Sequence, residues 1–291
     1  MTFANGTLIK NRYHVIGRLG KGGFGTVYKV TDVVDEKAKA LKEVKGYDPD
    51  LSEIRNLEAL AAIPGVQKMH THFLHKTSLC IILEIYSIDL GSLFDNQHFT
   101  KNQIMKIGYQ LTKILKDVHG AGYLHRDLKS ENIMLKAVGN EAFLHIVDFG
   151  MAKCFMTPDG NIIPVPMKDY NFAMSDYSSL SLALGNRANE TDDLVMMLYM
   201  LMDFAKVAPF GGKTHVQKTA MKIFFHSNPG QVLRNDSSFL LGVAYVIINQ
   251  ANANNVDYDE ILKSFQNTAK PVDLNKPFCL KYARGKKITL V

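Results

Sequence analysis

The chain has 291 residues, 46% of them hydrophobic and 21% charged, the composition of a folded protein able to bury a sizeable core. No apolar run reaches the roughly eighteen residues that cross a bilayer, and the longest, FLLGVAYVII (Phe239 to Ile248), is expected to be a buried helix. The net charge of +6 points to anionic partners such as phosphates or acidic proteins. The first residues lack a basic start with an apolar core, so no leader is expected. Cys80, Cys154 and Cys279 have no paired spacing, which excludes a disulfide framework or a cysteine zinc site and suits a reducing interior, cytoplasmic and/or nuclear.

In chain order, the first third reads as strands. HVIGRLG and GTVYKVTDV flank a glycine cluster, and KAKALKEVKG continues the pattern. DLSEIRNLEALAAI changes to helical spacing, with Leu51, Ile54, Leu57 and Leu60 on one face. SLCIILEIY is a short buried strand, with a connector over 87–91. Helices dominate from Thr100, a predicted N-cap whose helix stops near Gly120. TDDLVMMLYMLMDF is apolar nearly all round and is expected at the centre, with Met196, Met197, Met200 and Met202 as packing. The pattern predicts an α+β fold: a small strand-rich lobe with one main helix, then a larger, mostly helical lobe, dividing near Glu84 to Leu90. No internal repeat is visible, and NQANANN over 249–255 reads as a polar turn. A basic run closes the chain with Lys281, Arg284, Lys286 and Lys287, either a solvated tail or a docking patch.

Four stretches carry candidate chemistry. GKGGFGTV, Gly20 to Val27, sets glycines where missing side chains let main-chain N–H groups approach an anion. A dinucleotide-binding fold would open a helix there, whereas TVYKV is strand-like, which leaves a phosphate-covering hairpin or a plain one. Lys42 follows an alternating stretch, points into a cleft and needs an anionic partner, because an unpaired buried ammonium is costly. Glu53 is the first choice and Glu58 the second. HRDLKSENIML, His125 to Leu135, is a polar turn or a catalytic loop. In the second case Asp127 takes a hydroxyl proton, Lys129 offsets charge and Asn132 offers an oxygen to Mg2+, with Met134 on a strand beyond. VDFG places Asp148 at a strand end as a further Mg2+ ligand. His70, His72 and His75 in MHTHFLH lack the carboxylate or cysteine that would complete a metal set.

Glycine loop, strand Lys, helix Glu, HRDxKxxN and DFG come in the order and approximate spacing of the protein kinases, and the chain resembles a eukaryotic-type serine/threonine protein kinase. Lys129 after HRDL favours Ser/Thr over Tyr acceptors. No APE follows DFG; instead DYSSLSLALGNRANETDDLVMMLYMLMDF (Asp176 to Phe204), APFGG and VDYDEILKSFQN (Val256 to Asn267) are similar to the casein kinase I group. The resemblance covers residues 12–268. It implies a bilobal protein-kinase fold with an N-terminal extension (1–11), an N-lobe (12–86), a C-lobe (87–268) and a basic C-terminal tail (269–291). It implies ATP and Mg2+, with Gly20, Gly22, Gly23 and Gly25 over the phosphates and Lys42, held by Glu53, gripping them. Val27, Ala40 and Met134 would surround adenine. Leu83 would be the gatekeeper and Glu84 to Tyr86 the hinge, while Asn132 and Asp148 would carry Mg2+. The implied partners are protein substrates with Ser or Thr acceptors, acidic ones among them, served by a monomer; neither a membrane nor nucleic acid is indicated.

The departures matter. Where the group has GTxRY this chain has AMSDY, so Met174 and Asp176 stand for its Thr and Arg. That Arg helps the family bind an anion, and a carboxylate there reverses the local field. Glu190 and Thr191 replace two Arg before the paired Asp. A preference for phosphate-primed substrates is therefore not expected. Asp193 fits the structural Asp that anchors the catalytic loop. Ser175, Tyr177, Ser178 and Ser179 are candidate phosphorylation sites with Arg126 as a candidate receiver, although the group's constitutive activity argues against a required phosphorylation. The alternative is a catalytically weak pseudokinase, a scaffold binding nucleotide and a protein partner; the intact Lys42, Asp127 and Asp148 speak against it.

Overall fold

A computed structural model describes residues 3–23, 25–46, 51–157, 159–163, 175–250, 255–282 and 288–290. Strand β1 (Leu8–Ile9) pairs with β2 (Tyr13–Gly22), which turns through the glycine cluster into β3 (Gly25–Asp32) and then β4 (Ala38–Lys45). Helix α1 (Ser52–Ala59) precedes β5 (Met69–His75) and β6 (Ser78–Leu83), and the sheet has the order β1-β2-β3-β4-β6-β5. Alternation divides its faces. Val15, Tyr28, Val30, Leu41 and Ile82 form a small core with Ile9 and Tyr13. Val27, Ala40, Lys42 and Leu83 fall on the opposite side, towards the cleft. Each fully buried aliphatic side chain contributes about 1.5–3 kcal/mol, so this cluster secures hairpins that are marginal alone.

The second half opens with β7 (Ile88–Asp89), α2 (Leu90–Asn96) and α3 (Lys101–Gly120). Helix α3 starts at the predicted cap: Thr100 Oγ1 accepts the Gln103 amide while the Gln103 side chain accepts that of Thr100. Then come β8 (Tyr123–Leu124), the hairpin of β9 (Ile133–Val138) and β10 (Glu141–Ile146), and β11 (Lys153–Cys154). Helices α4 (Leu180–Ala183), α5 (Glu190–Phe204), α6 (His215–Ser227), α7 (Pro229–Val232), α8 (Leu241–Asn249) and α9 (Tyr258–Ala269) follow. Helix α5 is buried along nearly its whole length, as its sequence predicts. Gly108 lets α3 and α9 touch, since a Cβ there would lie 2.4 Å from Phe265 Cε1. FLLGVAYVII is less uniform than expected. Phe239 and Leu240 end a 3₁₀ turn, and α8 buries one face (Val243, Ala244, Ile247) with Tyr245 turned outward. The architecture is the expected bilobal α+β arrangement.

Both ends depart from the expected extension and tail. Ile9 is fully buried and the Phe3 ring meets Tyr28 edge-on at 5.3 Å, so these residues belong to the strand-rich lobe. Beyond α9, β12 (Phe278–Tyr282) joins β10 and β13 (Ile288–Leu290) joins β12, giving a second sheet of order β13-β12-β10-β9-β7. Phe278, Leu280 and Leu290 are buried, and the Gln97 side chain donates to the Leu290 carbonyl and accepts its N–H. Alternation in FCLKY buries Phe278 and Leu280 and leaves Cys279 and Lys281 outward, which the surrounding charge obscured. Arg284, Lys286, Lys287, Met174 and the middle of the polar turn (251–254) lie outside the described residues.

Candidate active site

Between the lobes lies a cleft of about 520 Å³. Gly20, Val27, Ala40, Lys42 and Leu83 face it from the sheet, Glu84 and Tyr86 from the connection, and Asn132, Met134 and Asp148 from the helical half. A hollow of about 470 Å³ lies beneath the hairpin tip, where Gly22, Gly23 and Gly25 meet Glu53 of α1. Gly25 has φ +141°, and a Cβ there would stand 2.4 Å from the Glu43 carbonyl oxygen, so only glycine fits. Gly20, Gly22 and Gly23 have open space where a side chain would be.

Lys42 is 5% exposed. Its Nζ donates to Glu53 Oε1 at 2.7 Å, Glu53 Oε2 at 2.9 Å and Asp148 Oδ1 at 2.8 Å. Burial disfavours the ammonium, but the carboxylates outweigh it and raise its pKa. For Asp148 the same balance shifts the group downward: burial pushes its carboxyl up, and Lys42 outweighs that and brings it below its ordinary value. Glu58, the second choice, is exposed. Asp148 sits at φ +63°, strained for a non-glycine residue. Two residues that the sequence did not single out hold it there. The Asp148 amide donates to Gln67 Oε1 at 3.0 Å. Asn56 Nδ2 on α1 donates to the carbonyls of Phe149 (3.1 Å) and Ala152 (2.9 Å). Asn56 could have been found as a polar residue inside the apolar stripe of a short helix; Gln67 carries no such signal. Gly150 also packs close to the site, since a Cβ there would lie 3.2 Å from Asp148 Oδ1 and press on that carboxylate.

In the loop before β9, Lys129 Nζ donates to Asp127 Oδ2 at 2.7 Å. Asn132 Nδ2 donates to Asp127 Oδ2 at 3.0 Å and to the Asp127 carbonyl at 2.8 Å. With its amide nitrogen used on Asp127, Asn132 has its carbonyl oxygen to offer elsewhere. That oxygen and the Asp148 carboxylate are hard donors of the kind Mg2+ takes, so the residues fit the ion. The loop rests on Asp193 of α5, which accepts the amides of His125 and Arg126 at 2.7 Å each and lies 2.9 Å from His119 Nε2. Burial raises the Asp193 carboxyl, and His119 beside it carries it below its ordinary value. The His125 ring fits one tautomer: Nε2–H donates to the Val147 carbonyl at 3.1 Å while Nδ1 accepts the Asp127 amide at 3.3 Å.

Three side chains are placed differently from expectation. Arg126, a candidate phosphate receiver, is 2% exposed and its Nε donates to the Met151 carbonyl at 2.7 Å. Asp176 does not reverse the local field unopposed, because Lys218 Nζ on α6 stands 2.5 Å from its Oδ1. His70 faces Glu84 at 3.3 Å, and Lys136 holds the same carboxylate at 3.1 Å from the other lobe. With Tyr86 Oη accepting the Lys68 amide at 3.2 Å, these contacts fix the connection between lobes. Burial pushes the Tyr86 phenol up to about 12.

The family model for the protein kinase domain matches residues 13–173. The chain belongs to the protein kinase family. This kinase is 30% identical to a probable casein kinase I homolog of Encephalitozoon cuniculi over 198 residues, 65% of this chain and 61% of that protein. It is 28% identical to a probable serine/threonine-protein kinase of Dictyostelium discoideum over 212 residues, 70% of this chain and 43% of that protein. With a putative casein kinase I of Caenorhabditis elegans it shares 23% identity over 303 aligned positions, 99% of this chain and 88% of that one. The kinase therefore spans 43% and 61% of the lengths of the Dictyostelium and Encephalitozoon relatives. The resemblance to the casein kinase I group is borne out.

Proposed function

We propose that this kinase transfers the γ-phosphoryl group of ATP to Ser or Thr hydroxyls of protein substrates. The observation that carries the reading is a pair of hydrogen-bonded arrays, Lys42 with Glu53 and Asp148, and Asp127 with Lys129 and Asn132, which reach the cleft through Lys42, Asp148 and Asn132. Phosphoryl transfer asks for positioning and charge neutralisation rather than covalent catalysis. Lys42, clamped between two carboxylates, meets the phosphates as a fixed cation. Asp127 orients the acceptor hydroxyl and takes its proton. Lys129, 2.7 Å from Asp127, offsets charge developing on the transferred group. Asn132 and Asp148 would hold Mg2+, which when bound shields the phosphate oxygens. Val27, Ala40, Leu83 and Met134 offer apolar surface to adenine, and the main chain of Glu84 to Tyr86 offers its hydrogen bonds. The net charge of +6 supports acceptors in acidic surroundings.

Incubation with radiolabelled ATP, Mg2+ and casein tests the reading. Label is expected on serine and threonine. Nucleotide binding without transfer to casein or to the kinase itself would contradict it.

A further inference from the structure

Residues 175–179, which lead into α4, are tied to two helices. On α6, Lys222 is fully buried, and its Nζ donates to the main-chain carbonyls of Ser178 at 2.6 Å and Ser175 at 3.3 Å. The rings of Tyr199 and Phe210 flank the ammonium, their centroids 5.5 and 5.4 Å away. On α5, Asp203 accepts the Tyr177 hydroxyl at 2.8 Å, and Asp192 accepts that of Ser179. Tyr177 has Ser130 and Glu131 beside its hydroxyl. The segment therefore stands against the loop that carries Asp127.

Burying an ammonium is costly, and a methionine of similar length would fill the space without that penalty. What the charge adds is a pair of charge-assisted hydrogen bonds to carbonyls, which hold the main chain whatever side chains it bears. We propose that Lys222 is a positioning residue for the protein acceptor, fixing residues 175–178 so that the incoming hydroxyl is presented to Asp127; this rests on the kinase reading above. Lys222 does not line the nucleotide cleft, so its contribution falls on acceptor and not on ATP.

The titratable groups around it are Asp176 on the segment, Lys218 and His226 on α6, and Tyr199 on α5. Tyr199 hydrogen-bonds His226 at 2.8 Å, and burial brings that imidazole down to about 4, so it is neutral. Burial brings the Lys222 amine down to about 8, with Asp176 opposing. Loss of its proton above that pH weakens both bonds, so KM for the acceptor should rise on the alkaline side.

The test compares Lys222→Met and Lys222→Arg with the wild-type chain. It reads amide hydrogen exchange over 177–182 and separate KM values for ATP and a serine peptide. Lys222→Met is expected to speed exchange and raise the acceptor KM roughly tenfold. It should leave the KM for ATP unchanged and abolish the alkaline rise, and Lys222→Arg should restore part of the loss. Unchanged exchange, or equal rises in both KM values, overturns the proposal. If the wild-type chain phosphorylates no acceptor, the kinase reading fails, while exchange still decides whether Lys222 holds the segment. Should Lys222→Met fail to fold, the wild-type alkaline profile with Lys222→Arg decides instead, and a flat acceptor KM across pH 8 overturns the proposal.

Discussion

Asp193 holds the main chain of Arg126, accepting its amide at 2.7 Å while Arg126 stays at a left-handed φ of +69°. The same carboxylate takes the His125 amide, so one buried side chain on α5 shapes the turn from which Asp127 projects. A carboxylate suits that place, since the first turn of a helix favours negative charge and both amides need an acceptor.

Asp193→Asn keeps the shape but turns a donor towards one of those amides. Breaking a buried charged contact of this kind should cost about 2–4 kcal/mol, read as a lower urea midpoint. Phosphate transfer should fall with it, because Asp127 loses its platform.

Lys42→Met removes the cation between Glu53 and Asp148. Transfer should drop at least about 100-fold, with the far-ultraviolet circular dichroism unchanged. The acid limb of stability should respond too. Asp148 titrates below its unfolded value because of Lys42, so it contributes stability above the unfolded pKa that is lost as pH falls through the folded one. Urea midpoints below about pH 5 should therefore fall less steeply in the variant than in wild type.

Asp192 has the opposite sign. Burial raises its carboxyl to about 6, against the bonds from Ser179 and Asn189. The proton is held more tightly in the folded chain, so this group's contribution is full at low pH and is lost as pH rises through the folded value. Asp192→Asn should gain about 2–3 kcal/mol on wild type between pH 4 and pH 7. Parallel curves would contradict the assignment.

The legible parts of the site were those set by local spacing. Lys42 follows from strand alternation, Glu53 from its place beside the apolar stripe of α1, and Thr100 from capping chemistry. Gln67 and Lys222 were silent because their partners are main-chain groups remote in sequence, and nothing in their own neighbourhood marks such a partner, whereas Asn56 left a signal only as a polar residue inside an apolar stripe. The fold was legible to the division between lobes. The pairing of β12 with β10 was not, because a two-residue alternation in a charged stretch is a weak signal.

That pairing makes the C-terminal residues part of the core. Phe278 is 1% exposed, with Lys106 Nζ 4.7 Å from its ring centre. Phe278→Ala should cost about 3–5 kcal/mol, whereas Lys281→Ala, on an exposed site, should stay within about 0.5 kcal/mol. Equal midpoints for both variants would restore the picture of a solvated tail.

Asp176 lies against Lys218, so the cationic ground on which a primed phosphate would settle is already matched by a carboxylate. Primed and unprimed acidic peptides should give similar KM values. Asp176→Ala should lower KM for the primed peptide alone, by a few-fold, as expected of a partly exposed ion pair worth about 1 kcal/mol.

The central claim is that Asp127 serves an acceptor hydroxyl beside ATP held by Lys42, and single-turnover transfer by Asp127→Asn, with ATP affinity measured alongside, tests it most directly. ATP should bind with unchanged Kd while transfer to a serine peptide falls by about 100-fold or more. Transfer near the wild-type rate would contradict the claim.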